Sequence, residues 1–223
     1  TTAGTVNDVY DLITSNSLYI IKAVTIPIHH KRIILPGAKL QNIRTVISHP
    51  QALAQCSGYI RKMGWNKIPV DNTAFAAQKM VELGDPTYCA IASGEAGGIN
   101  NLTVLNDDVC DFKHNQTRFV AVGRSFSLDK KATRISIYFR TAHQSGSLAY
   151  VLNVFAERGL NMTKIQSRPV GDTPWEYGFW VDIEASQKDE NVYLALYQLS
   201  KELPFLQLLG WYEDLISPGE VNG

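Results

Sequence analysis

The sequence has little of what marks several common classes of protein. Its 223 residues include only three cysteines, Cys56, Cys89 and Cys110, which are widely spaced and form no C-x-x-C pair. Thiols in this arrangement predict reduced, mostly buried side chains in a cytoplasmic protein. We expect no metal site, because His29 and His30 would face opposite ways on a strand and no cysteine or carboxylate stands at metal-ligand spacing from them.

An excess of one charge and a long apolar run are also missing. Lysine and arginine number 21, as do aspartate and glutamate, so the formal net charge is zero. No basic block indicates a nucleic-acid partner or an anionic membrane surface. No apolar run reaches the ~20 residues of a membrane helix, and the first residues show no signal-peptide pattern. The 45% of hydrophobic residues can build the core of one or two domains.

The first half of the chain alternates short strands with capped helices. Apolar runs predict strands at residues 18–25, 45–47, 67–70 and 88–92. Helices are expected after caps at Ser48, Asn72 with Thr73, and Ser93. The alternation predicts a largely parallel sheet, in which ligands bind at the carboxyl ends of the strands. The helix starts there predict a site for carboxylates and other anions, although ordinary capping explains each of them equally well.

The second half has a different order of elements. Strands are predicted at 133–140, 161–168, 177–184 and 205–212, and helices at 146–158 and 191–203. The resulting βαββαβ order is that of a ferredoxin-like module. A polar stretch at 127–130 is the expected linker, which separates a domain at 1–126 from a domain at 131–217.

A hydroxyl and a guanidinium are adjacent between the two halves, in Asn115-Gln116-Thr117-Arg118-Phe119. A hydroxyl can hydrogen-bond a leaving group, and an arginine can clamp a carboxylate with two parallel bonds. By itself the pentapeptide is more simply interpreted as the start of a strand with a solvated arginine.

Several segments in one register resemble a known family. They are residues 48–56 (SHPQALAQC), 115–119 (NQTRF), 146–149 (GSLA) and 167–169 (SRP). Together they resemble prephenate dehydratase with a C-terminal ACT regulatory domain. Residues 7–12, 94–98 and 174–176 resemble especially the dehydratase part of bifunctional chorismate mutase–prephenate dehydratases.

The resemblance implies an α/β fold, with a two-lobed periplasmic-binding-like dehydratase domain whose first lobe is incomplete, followed by a βαββαβ ACT domain. It implies decarboxylative dehydration of prephenate to phenylpyruvate in phenylalanine biosynthesis, without a cofactor. Thr117 would hydrogen-bond the leaving hydroxyl, and Arg118 would orient the site or bind a carboxylate. Substrate contacts are expected from Ser48, Asn72, Thr73, Ser93, Asn115 and Phe119, although for Phe119 we favour core packing.

The resemblance also implies regulation by L-phenylalanine, which would bind between the ACT domains of a homodimer or tetramer. The matching residues are Gly146, Ser147, Leu148, Ala149, Gln166, Ser167, Arg168 and Pro169. Gly146 would let the backbone approach the ligand closely. Gln166 stands where the family usually has glutamate, so we predict a weaker or altered response to phenylalanine.

The Gly-Pro-x-Gly-Thr motif with which the family's catalytic domain begins is missing from this sequence. We therefore expect a fragment or a naturally truncated chain that lacks one wall of the active site. Whether a chorismate mutase domain precedes it stays open. The alternative function is a non-catalytic phenylalanine-sensing fragment. A two-lobed solute-binding protein fits the fold of the first half, but the absence of a signal-peptide pattern and the regulatory module that follows disfavour it.

Overall fold

The computed structural model describes residues 7–112, 115–170 and 176–216, which divide between two compact units. Unit 1 contains residues 26–117 and unit 2 contains residues 7–25 and 118–216, within the described ranges. No helix in these ranges is long and apolar enough to cross a membrane.

The strands and helices follow in chain order. The strands are β1 Tyr19–Pro27, β2 Lys31–Ile34, β3 Thr45–Ser48, β4 Asn66–Pro69, β5 Tyr88–Ala92, β6 Thr103–Asp108, β7 Gln116–Gly123, β8 Arg134–Arg140, β9 Met162–Pro169, β10 Tyr177–Glu184, β11 Phe205–Tyr212 and β12 Asp214–Ile216. The helices are α1 Asn7–Ser15, α2 Pro50–Gln55, α3 Ser57–Met63, α4 Thr73–Leu83, α5 Gly94–Ile99, α6 Ser147–Glu157 and α7 Glu190–Glu202.

Unit 1 is built on a five-stranded sheet in the order β4-β3-β5-β2-β6. Strands β3, β4 and β5 are parallel, whereas β2 is antiparallel to both β5 and β6. The predicted largely parallel sheet is therefore confirmed, with β2 as the exception. Strand β6 escaped prediction, because its sequence TVLNDD carries only two apolar residues beside three polar or acidic ones at its end.

Strands β2, β3 and β5 of this sheet are largely buried, whereas the edge strand β4 is exposed. Val46 and Ile91 pack against Leu53 of α2 and Ile60 of α3 on one side. Their chain neighbours Ile47 and Ala90 pack on the other side, against Ala76, Ala77 and Met80 of α4. Because adjacent strand residues point to opposite faces, the continuous apolar runs supply both cores.

Unit 2 contains the βαββαβ module, as predicted. Its antiparallel sheet has the order β11-β8-β10-β9, and α6 and α7 pack on one face around Phe139, Phe155 and Leu199. A second cluster contains Ile13 of α1 and Trp180 of β10. A three-stranded sheet in the order β12-β1-β7 completes the unit, and its short strand β12 was not predicted.

Two local predictions need correction. Ser48 does not cap a helix, because it is the last residue of β3 and its buried hydroxyl donates to the carbonyl of Ile91 at 2.5 Å. His49 caps α2 instead, with Nδ1 accepting from the backbone N–H of Gln51 at 3.2 Å. The helix expected after Ser48 is interrupted at Cys56, and a second helix, α3, follows with the Asp111 carboxylate accepting hydrogen bonds from its first amides.

The helix expected after Ser93 is α5, and Ser93 caps it directly. Residues 1–5 and 174–175, which contribute to the sequence pattern, lie outside the described residues.

Candidate functional site

Three helix starts meet at one edge of the unit 1 sheet. Strands β4, β3 and β5 are parallel neighbours, so the residues after them share an edge. These residues are the caps of α2, α4 and α5: His49, Asn72, which accepts from Phe75 N–H at 2.7 Å, and Ser93, which accepts from Ala96 N–H at 3.2 Å. Thr73 is the first residue of α4 rather than its cap. The edge therefore presents polar caps together with the first amides of three helices.

The antiparallel strand β2 brings positive charge to the same edge. Its first residue, Lys31, pairs in register with Ala92 of β5 and Asp108 of β6. The Lys31 ammonium donates to the carbonyl of Asn106 at 2.6 Å, and His29 Nδ1 lies 2.9 Å from the Asp108 carboxylate. Lys31 is thus a cation held beside the cap of α5.

A buried polar cluster joins three segments of unit 1. The side-chain amides of Gln55 and Asn115 pair head to tail, at 3.1 Å and 3.3 Å, and His30 Nε2 lies 2.7 Å from Gln55 Oε1. Since Gln55 Oε1 can only accept, His30 Nε2 carries the hydrogen. Each of the three side chains is 5–6% exposed. We name them the amide cluster; it joins the end of α2 and the residues preceding β2 and β7.

The amide cluster anchors the strand that carries Thr117. The carbonyl of Asn115 accepts from Ile28 N–H at 2.8 Å, and β7 begins at the next residue. Thr117 is half-buried and lies two residues after Asn115, on the same side of the extended chain. The hydroxyl that is expected to meet the leaving group is therefore attached to a fixed point of unit 1.

Phe119 does not belong to the core among the described residues, contrary to the core packing that we favoured. It is 51% exposed, whereas its neighbour Val120 packs against a buried cluster of unit 2. Successive side chains of a strand point to opposite sides, so Phe119 and Val120 face opposite sides of β7.

The Arg118 guanidinium is bound by groups of unit 2. Its Nη1 lies 2.7 Å from the Asp182 carboxylate and its Nη2 lies 2.7 Å from the Tyr212 hydroxyl. Burial by itself lowers the pKa of Arg118, but its electrostatic interactions with Tyr212, Asp182 and Asp214 outweigh burial and raise that pKa. The simpler interpretation of Arg118 as a solvated side chain is therefore wrong, because its guanidinium is bound to Asp182 and Tyr212.

Of the two predicted effector segments, residues 146–149 contribute to the lining of two cavities in unit 2, and residues 166–169 line neither of them. Gly146, with φ +84°, and Ser147 line a cavity of about 390 Å³ together with Tyr150 and Glu202. Ser147 and Leu148 line a second cavity of about 150 Å³ beside Phe179. Ala149 lies in the first turn of α6. Gln166, Ser167, Arg168 and Pro169 lie on β9, which pairs with the strand that carries Phe179.

The cysteines are buried as expected, with Cys110 the most accessible of the three. Burial raises the pKa of the Cys89 thiol to about 12 and raises the pKa of Cys56 further. Both thiols therefore remain protonated at neutral pH and are poor nucleophiles.

Comparisons with known proteins agree with this architecture. The family model for prephenate dehydratase matches residues 1–127, and the ACT domain model matches residues 135–200. A prephenate dehydratase of Methanocaldococcus jannaschii is 37% identical over 94% of this chain and 76% of its own length. A bifunctional chorismate mutase/prephenate dehydratase of Enterobacter agglomerans is 34% identical over 99% of this chain, which spans 58% of that relative.

A solved structure has the same fold. The prephenate dehydratase of Arthrobacter aurescens, crystallised in complex with L-Phe, superposes with a TM-score of 0.82 at 29% identity, over 94% of this chain and 71% of that one. The periplasmic-binding-like domain followed by an ACT domain is thereby confirmed. The chain belongs to the prephenate dehydratase family.

Two features of the site were not predicted from the sequence: the role of Gln55 in the amide cluster and the partners of Arg118. Gln55 lies inside the segment SHPQALAQC that carries the resemblance, yet it reads as an ordinary helical glutamine. Asp182 and Tyr212 alternate with apolar residues in their strands and give no signal of their own. Only the pairing of strands distant in sequence brings these side chains to Arg118.

Proposed function

We propose that this chain carries out, alone or as part of a longer protein, the decarboxylative dehydration of prephenate to phenylpyruvate. The observation that carries the proposal is the anchoring of Thr117 by the amide cluster, in a chain of the prephenate dehydratase family. We expect the reaction in the cytoplasm, as a step towards phenylalanine.

The reaction sets clear demands on the site. The ring carboxylate leaves as carbon dioxide, and its bonding electrons enter the ring as the C–O bond to the ring hydroxyl breaks. Prephenate dianion and one proton give phenylpyruvate anion, carbon dioxide and water. The site must hold two carboxylates, assist one departing hydroxyl and orient the ring.

Thr117 is our candidate for the departing hydroxyl. A threonine hydroxyl is a weak acid, so its contribution is a directed hydrogen bond to the leaving oxygen rather than full proton transfer. Asn115 acts through the position of β7, since its amide is bound to Gln55. Ser48 holds the end of β3 beside β5 through its bond to Ile91, next to the start of α2.

The carboxylates need other partners than Arg118. We assign them to the helix starts at Asn72, Thr73 and Ser93, where backbone amides and helix dipoles favour negative charge. Lys31 supplies a full positive charge at the same edge. We retain Phe119, whose side chain is exposed, as a candidate for an apolar contact with the ring.

We retain the domain bounds expected from the sequence, with the dehydratase domain at 1–126, a linker at 127–130 and the ACT domain at 131–217. L-Phenylalanine is the proposed effector, bound at residues 146–149 and 166–169 where two ACT domains of a homodimer or tetramer meet. The resolved Arthrobacter relative with L-Phe supports this choice.

Turnover of prephenate by the purified chain tests the proposal against a non-catalytic sensor. Phenylpyruvate and carbon dioxide should form in equal amounts, and L-phenylalanine should slow their formation. Phenylalanine binding without any turnover would favour the sensor instead. Absence of both would contradict the two functions together.

A further inference from the structure

The guanidinium of Arg118 is enclosed by the sheet of the βαββαβ module. Besides Asp182 and Tyr212, it reaches Asp214, whose carboxylate lies 3.3 Å from Nε. Arg134 binds the same Asp214 carboxylate at 2.5 Å. Three nitrogens of Arg118 are therefore engaged by unit 2, and the forked face of the guanidinium that could clamp a substrate carboxylate is occupied.

These contacts close into a ring of hydrogen bonds. Ser136 lies opposite Asp182 in the register of β8 and β10, and its hydroxyl donates to that carboxylate at 2.5 Å. Because this uses the only proton of Ser136, the Tyr212 hydroxyl donates to Ser136 at 2.7 Å while it accepts from Arg118. Each hydroxyl thus has one possible orientation. We name Arg118, Ser136, Asp182 and Tyr212 the arginine ring.

The arginine ring is almost closed to water. Ser136, Asp182 and Tyr212 are buried, and the Arg118 side chain is mostly covered. A buried ion pair is costly to break when both carboxylate oxygens accept hydrogen bonds, as those of Asp182 do, because removing one partner leaves an uncompensated charge. The position of Arg118 along β7 is consequently set by the module's sheet.

Strand β9, which pairs with β10, carries residues 166–169 of the predicted effector site. Gln166 of β9 pairs with Trp180 of β10, and Asp182 lies only two residues further along β10, about 7 Å away by strand geometry. A shift of the β9–β10 pair at Gln166 would therefore be carried to Asp182, and from there to Arg118.

We propose that Ser136, Asp182 and Tyr212 are positioning residues for the dehydration, which act through Arg118 on the adjacent Thr117 and transmit the phenylalanine response to it. The proposal rests on the proposed function and assigns the regulation of that site to a defined contact. Arg118 is then a connecting residue between the effector strands and Thr117, not a clamp for substrate.

The test compares Tyr212→Phe with Trp211→Phe in the full chain. Tyr212→Phe removes one hydroxyl from the arginine ring and keeps the aromatic core. The control, Trp211→Phe, also removes one buried hydrogen bond, which runs from Trp211 Nε1 to the Ala185 carbonyl. Trp211 is the chain neighbour of Tyr212 and points to the opposite face of β11. Ser136→Ala is the second test variant, so that poor folding of one variant does not decide the outcome.

Three quantities are measured: kcat and KM for prephenate, inhibition by L-phenylalanine, and amide hydrogen exchange over residues 116–123. For Tyr212→Phe we expect kcat to fall about tenfold with KM nearly unchanged, as for loss of an interaction that matters in the transition state. Inhibition should weaken roughly fivefold or more, and exchange across β7 should speed up. Trp211→Phe should stay within about twofold of the parent in all three.

Equal effects of Tyr212→Phe and Trp211→Phe, or unchanged exchange across β7 in both test variants, would overturn the proposal. If the parent chain does not turn over prephenate, the proposed function fails. Amide exchange of β7 then still tests the positioning role. Faster exchange in Tyr212→Phe and Ser136→Ala, but not in Trp211→Phe, would support that role.

Discussion

Tyr212 is the residue whose protonation the fold controls most clearly. Burial, followed by the charge of Asp182, raises the pKa of its hydroxyl to about 12. The proton is needed because the Tyr212 hydroxyl donates to Ser136 within the arginine ring.

This pKa predicts a loss of stability at high pH. In the unfolded chain a tyrosine ionises near pH 10, so above that pH the folded state retains a proton that the unfolded state has lost. The contribution to stability is complete below about pH 10 and disappears as the pH rises through about 12, and it amounts to roughly 2–3 kcal/mol. Urea unfolding between pH 9 and 12 should show a steeper decline for the parent than for Tyr212→Phe. Parallel curves for the two proteins would contradict the assignment.

Gln166 is the residue at which we expect a single substitution to change the affinity for L-phenylalanine. Glutamine cannot offer the negative charge that the usual glutamate would present to the ammonium group of phenylalanine. Gln166→Glu should bind L-phenylalanine about tenfold more tightly, as a charge-assisted hydrogen bond of about 1.5 kcal/mol would give. Calorimetric titration measures this, with Gln207→Glu on the opposite edge strand β11 as a charge-matched control. Equal affinity in the parent and Gln166→Glu would refute the interpretation of this departure.

At the scale of elements, α5 contains a pair of glycines that should respond in opposite ways. A Cβ on Gly97 would lie 2.5 Å from Val104 Cγ2 and 3.2 Å from Ile33 Cδ1, whereas a Cβ on Gly98 would meet nothing within 4 Å. The close approach of α5 to β2 and β6 therefore depends on the first glycine alone.

Gly98→Ala should stabilise the chain by up to ~1 kcal/mol, because alanine favours the helix. Gly97→Ala should destabilise it by about 1–3 kcal/mol through crowding of Val104 and Ile33. Chemical denaturation of the two variants, which differ by one position in one helix, measures both effects. A stabilised Gly97→Ala would show that α5 can move away from the sheet at little cost.

The elements also show how far the sequence predicts this molecule. Strands β5, β10 and β11 have the predicted bounds, since each is an apolar run closed by polar residues. Strand β12 has three residues and is stabilised by pairing with β1, almost 200 residues away in the chain. Such a strand has no local sequence pattern from which it could be predicted. The arginine ring was missed for the same physical reason, because its members belong to four strands that only tertiary pairing brings together.

At the scale of the whole molecule, the two compact units have separate cores, so ligands should stabilise them separately. A ligand stabilises the part of a protein that it binds, by mass action on the local unfolding equilibrium. Saturating L-phenylalanine should slow amide exchange in residues 118–170 and 176–216, and leave residues 31–112 nearly unchanged. Hydrogen exchange with mass spectrometry measures both regions in one sample. Protection confined to residues 31–112 would place the effector in the wrong unit.

We propose above all that the Thr117 hydroxyl, held on β7 by the amide cluster, assists the departure of the ring hydroxyl of prephenate. The most direct measurement is kcat for phenylpyruvate formation by Thr117→Val, which removes the hydroxyl at constant shape, beside Thr117→Ser, which keeps it. We predict that Thr117→Val loses a factor of about 100 or more in kcat, as for removal of one hydrogen bond to a developing charge, while Thr117→Ser retains most of the activity. Full activity of Thr117→Val would contradict this role of the Thr117 hydroxyl.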